Sequence, residues 1–96
     1  SARAQFHVPA GVVGQVWRNG SQQAILARFL KSPEVSVEPL DEHVARACGE
    51  VLAAAKAIDV IDASVVILAR ERGSTILTSD VEDIRRLDPT IRIERV

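Results

Sequence analysis

Two pairs of aspartates share one spacing in this 96-residue chain: Asp59 with Asp62, and Asp80 with Asp83, each Asp-x-x-Asp. Carboxylates three residues apart on a helix lie on the same side, about one turn from each other. Hard oxygen donors that converge without Cys or His suit Mg²⁺ or Mn²⁺ and not zinc. A cation held by several carboxylates can orient a water and offset charge on a scissile phosphate. Aspartate at a helix start has a second, commoner use as a cap or as a partner of the helix dipole. Ser79-x-x-Glu82 is itself a capping box, and Asp59 is read as the cap of the helix that carries Asp62. Asp62 lies about one turn before Val65 and Ala69, which are expected to face the core. It is therefore expected to be partly buried, a costly place for a carboxylate unless it is paired or bound to a metal.

The other reactive side chains form no comparable set. Cys48 is alone, and His7 and His43 are far apart, which excludes zinc-ligand spacing and a disulfide framework. His43 and Cys48 have no partner that would make a nucleophile–base pair, so they read as helix surface and core filler. The five glycines are scattered and build no phosphate loop. A formal net charge of −1 argues against a nonspecific nucleic-acid coat, so any such contact has to be local. Arg85, Arg86, Arg92 and Arg95 cluster late in the chain, where they either touch phosphates or are simply solvated. Trp17 is read equally well as an interface anchor or as packing.

The elements that would position these residues follow from the hydrophobic pattern. With 47% hydrophobic and 26% charged residues the chain can build a core without disulfides or a structural metal. Its apolar runs break too early for a membrane span, since Val60 to Ala69 already contains Asp62, and no secretion signal is read at its start. Gln5 to Val8 alternates as a short strand, with Pro9 opening a helix through Trp17. Asn19-Gly20 stops that helix, and Ser21 is expected to cap the next, whose apolar face is Ile25, Leu26, Phe29 and Leu30. Val35 to Glu38 reads as a strand. Asp41 caps a helix with Val44, Ala47, Cys48, Val51, Leu52 and Ala55 on one face. A second helix follows, with Ile61, Val65, Leu68 and Ala69 inward, and ends at Gly73. Thr75 to Thr78 is expected as a buried strand, Ser79 to Leu87 as a short helix broken by Asp88-Pro89, and Ile91, Ile93 and Val96 as a final edge strand. The order β-α-α-β-α-α-β-α-β requires crossover connections. The expected fold is a single three-layer α/β/α domain over residues 1–96 with a mostly parallel central sheet.

Three stretches together resemble the PIN domain, the metal-dependent nuclease fold of VapC-type toxins from bacterial toxin–antitoxin modules. Val8-Pro9-Ala10-Gly11-Val12-Val13-Gly14-Gln15-Val16-Trp17-Arg18 resembles the family's strand-to-helix segment. Asp59-Val60-Ile61-Asp62-Ala63 resembles the segment that bears its third acidic residue, and Ile76-Leu77-Thr78-Ser79-Asp80-Val81-Glu82-Asp83-Ile84 the strand and Thr-x-Asp turn that bear the fourth. The resemblance implies that Asp62 and Asp80 are catalytic, metal-binding carboxylates, with Asp83 as a helper at the metal. It further implies Mg²⁺- or Mn²⁺-dependent endoribonuclease activity, an RNA substrate, an antitoxin partner and a cytoplasmic location. Gln15 stands at the family's second acidic position, and no strand ending in Asp precedes Gln5. The chain therefore reads as a PIN-like fold incomplete at its N-terminus. With two acidic groups missing it is expected to bind metal weakly and to cleave little by itself. It is also expected to pair with a second copy or with the missing segment. The alternative is a catalytically degenerate PIN domain that serves as a protein- or RNA-binding module.

Overall fold

The computed structural model describes residues 5–95, and the chain divides into two compact units between Pro39 and Leu40. In the first unit, β1 (Phe6–Pro9) leads directly into α1 (Ala10–Trp17), α2 (Gly20–Leu30) and β2 (Val35–Glu38). The two helices form the crossover that lets β1 and β2 pair in parallel, from Phe6 opposite Val35 to Pro9 opposite Glu38. Asn19, and not Ser21, caps α2: its side chain accepts from the Gln22 N–H, while the Ser21 hydroxyl donates to the same oxygen. The expected cap fails because Asn19 already occupies the extended backbone position that a cap requires. Phe6 and Phe29 meet edge to face at 5.5 Å. With its amide oriented to satisfy both atoms, Gln23 donates to the Trp17 carbonyl and accepts from the Trp17 indole N–H at 2.9 Å. No residue from 5 to 39 is buried.

The second unit holds the core. Its elements are α3 (Glu42–Ala55), α4 (Val60–Arg72), β3 (Ile76–Thr78), α5 (Val81–Leu87) and β4 (Ile93–Arg95). Asp41 caps α3 as expected, accepting from the Val44 N–H at 2.9 Å. One cluster joins Cys48 and Val51 of α3 to Ala63 and Ile67 of α4, with Val44, Ala47 and Leu52 around it. A second joins Val66 and Ala69, on another side of α4, to Ile76 and Ile84. Leu87 packs against both clusters.

This arrangement corrects the inward face expected for α4 in part: Leu68 and Ala69 are buried as expected, and Val65 packs against the second cluster. The buried residues are Ala63, Ser64, Val66, Ile67, Leu68 and Ala69, whereas Ile61 and Val65 are only half-buried. A single inward stripe presumes one covered side, but α4 is covered on two, so the usual 3.6-residue pattern is blurred. The Ser64 hydroxyl is accommodated inside by donating to the Ile61 carbonyl at 2.6 Å.

The α/β class with parallel strands holds, and the sheets are small. The strands pair two by two, β1 with β2 and β3 with β4, and each pair is parallel. In β3, Ile76 is buried but Leu77 is 52% exposed, so the strand is covered on one face and not on both. The final strand is Ile93–Arg95, and the part of that expectation that falls on Val96 lies outside the described residues.

Candidate active site

The N-terminus of α4 separates the first aspartate pair into two roles. Asp59 is the cap, its carboxylate accepting from the Asp62 N–H at 3.0 Å. Asp62 is half-buried in the first turn, and burial is the largest cause raising its carboxyl above the ordinary range. The negative charges of Asp59, Asp83 and Asp80 push it further in the same direction. The two Asp-x-x-Asp segments, 18 residues apart from Asp62 to Asp80 in sequence, thus share one electrostatic field.

The second pair sits where β3 turns into α5. The expected capping box does not form, since α5 begins at Val81 with Asp80 as its N-cap residue. Thr78 is the cause: its hydroxyl accepts from the Asp80 N–H at 2.9 Å, holding the turn before the helix starts. The Asp80 carboxylate makes no capping hydrogen bond, so the commoner role for an aspartate here is vacant. Asp83, one turn on, faces Arg86 at 3.8 Å across exposed helix surface. Ser79, Asp80, Val81, Glu82 and Asp83 line an open hollow of about 200 Å³, completed by Arg95 from the end of β4.

Sequence reasoning placed Asp62, Asp80 and Asp83 correctly on these elements but did not separate Arg95 from the other late arginines. Register supplies the difference, because β4 pairs Arg95 with Thr78 and brings it beside the Asp80 turn. Arg95 donates to the Ser79 carbonyl at 3.3 Å. Gln15 lies exposed on α1 in the first unit. Outside the acidic segments, Ser36 donates to Glu38 at 3.0 Å, and both face Nδ1 of His7, at 3.2 and 3.3 Å. Both contacts fall on one ring nitrogen, so no Ser–His–Glu proton relay exists and the group ties β1 to β2. His43 is an exposed helix residue paired with Glu71 at 2.9 Å. Cys48 is core, as expected.

A model of the PIN domain matches residues 6–88, which covers all but the ends of the chain and includes both aspartate pairs. The chain belongs to the PIN-domain family. No curated protein and no solved structure matches it. Membership points to a nuclease-type function, and PIN domains generally bind divalent metal ions. The donor chemistry of this PIN domain agrees, because Asp62, Asp80 and Asp83 offer only hard carboxylate oxygens. Among the described residues no three His, Cys, Asp or Glu side chains converge into a ligand set. No helix of the described residues is long and apolar enough to cross a membrane.

Proposed function

We propose that this PIN domain is an endoribonuclease of the VapC toxin type, cytoplasmic, dependent on Mg²⁺ or Mn²⁺ and controlled by an antitoxin. The observation that carries the reading is the shared field at Asp62, whose carboxyl is raised first by burial, then by its own cap Asp59, and further by Asp83 and Asp80. Negative charge gathered at one edge, with Asp80 free of any capping role, is what a divalent cation would relieve. Asp62 and Asp80 would hold the ion and Asp83 would assist. When bound, it would supply an activated water and offset charge at the scissile phosphate. The carboxylates' own part is to fix the ion's position and, through Asp62 on the buried helix α4, to keep that position rigid.

The second reading, an RNA- or protein-binding module without cleavage, draws support from Gln15 and from the lack of a three-ligand set among the described residues. One experiment addresses both. Calorimetric titration of Mn²⁺ into the full chain should show binding that Asp80→Asn abolishes. A gel assay of structured RNA should show at most slow Mg²⁺-dependent cleavage, lost in the same variant. Mn²⁺ binding unchanged in Asp80→Asn overturns the metal assignment. Binding without any cleavage favours the module.

A further inference from the structure

Four arginines occupy the last dozen residues of this chain, and the fold gives three of them visibly different surroundings. Arg92 donates to the Gly73 carbonyl at 2.9 Å, at the C-terminal end of α4. Arg86 faces Asp83 along α5 at 3.8 Å. Arg95 alone of the four lines the hollow that Asp80, Glu82 and Asp83 share. Among the described residues no ion pair joins it to any of these carboxylates, and the hydrogen bond it makes, to the Ser79 carbonyl, is long. A guanidinium has five N–H donors in a planar fork, so most of that fork is unspent. It stands over a hollow of opposite charge without being neutralised by any one acid.

A cation placed this way has two physical uses. It either occupies the hollow in place of a metal ion or presents its donors to an anion that the acids themselves would repel. The second use fits the geometry better, because a surrogate cation would close onto a carboxylate and Arg95 does not. We propose that Arg95 grips a phosphate of the RNA strand next to the Asp80 turn, so that the strand is held across the hollow by one cationic donor fork set among acids. This rests on the nuclease reading above and adds to it the residue that would position the substrate. A guanidinium suits the task since its paired N–H groups match two phosphate oxygens at once.

The test compares Arg95→Ala with Arg92→Ala, which removes the same charge outside the hollow. Fluorescence anisotropy would follow a short labelled single-stranded oligoribonucleotide binding to each full chain in Mg²⁺ at several salt concentrations. Arg95→Ala should weaken binding about fivefold to tenfold and reduce the slope of log K against log salt by about 0.7, the loss of one phosphate contact on a single strand. Arg92→Ala should change neither, and Arg95→Lys should keep the slope while losing part of the affinity. Equal effects of the two alanine variants, or a parent that does not bind the oligonucleotide, overturn the proposal. So does tighter Mn²⁺ binding by Arg95→Ala with RNA affinity unchanged, which would make the arginine a stand-in for the cation. Asp80→Asn is the separate control: unchanged Mn²⁺ binding there defeats the metal site, while the arginine comparison still reads on its own.

Discussion

Asp62 and Asp88 are two aspartates whose surroundings drive their carboxyls in opposite directions, and their acid behaviour should differ in sign. Asp62 is raised, first by burial and then by the charges of Asp59, Asp83 and Asp80. The native state therefore holds its proton more tightly than the unfolded chain, so its contribution is complete below the ordinary carboxylate value and is lost as pH rises through the raised one. Asp88 is lowered, chiefly by the Thr90 hydroxyl that donates to it at 2.6 Å, and also by Arg70 at 2.9 Å. Its contribution is present above the ordinary value and disappears as pH falls through the native one. Urea melts at a series of pH values should find Asp62→Asn at least as stable as the parent at neutral pH, with a smaller decline between acid and neutral pH. Asp88→Ala should cost about 2 kcal/mol at neutral pH, the scale of hydrogen bonds to a charged group, and the cost should vanish at low pH. A pH-independent cost would show that Asp88 acts by packing alone. The sequence could place Asp62 and Asp80 and could read Asp59 as a cap, but the shared Asp-x-x-Asp spacing did not show that Asp80 makes no capping bond. What separates them is Thr78, whose hydroxyl reaches the Asp80 N–H. Asp88 was legible only as a breaker before Pro89, although Asp-x-Thr is a side-chain turn pattern that signals its bond to Thr90.

At the scale of elements, two helices end in the left-handed conformation with different residues. Gly73 closes α4 at φ 63° and Lys56 closes α3 at φ 54°. A residue with a Cβ pays roughly 1–2 kcal/mol to sit there, and glycine does not. Among the described residues, its own chain neighbours aside, no atom lies within 4 Å of where a Cβ would stand on Gly73, so substitution there tests conformation without a clash. Gly73→Ala should lower the free energy of unfolding by about 1 kcal/mol, and Lys56→Gly should raise it by about 0.5 kcal/mol after the glycine's extra unfolded-state entropy is subtracted. Thermal melts of both variants check the pair, and destabilisation by Lys56→Gly would mean that the lysine side chain matters more than its backbone. Gly73 as a stop and Asp41 and Asp59 as caps were readable because each is a local signal. The α4 face was not, because periodicity reports one covered side while Ala63/Ile67 and Val66/Ala69 are buried in separate clusters. Pairing between strands was equally out of reach: alternation marks a strand but does not name its neighbour.

Over the whole molecule, burial is unevenly shared. Both apolar clusters lie in the second unit, and no residue of the first from Gln5 to Pro39 is buried, although the family match runs through both. The two clusters draw on separate residues of α4 and share Leu87 alone among the side chains packed around them. That one leucine, half-buried at the end of α5, touches both clusters and is expected to couple their melting. Leu87→Ala should cost about 2 kcal/mol, the low end for truncating a packed leucine. A larger consequence is to cooperativity. With the shared side chain removed, the heat absorbed on melting should exceed the van't Hoff value inferred from the steepness of the transition, the sign that one event has become two. Agreement of the two enthalpies in the variant would place the coupling in the backbone of α4 instead. On this expectation Leu87 matters less for the area it buries than as the joint through which two small cores melt as one.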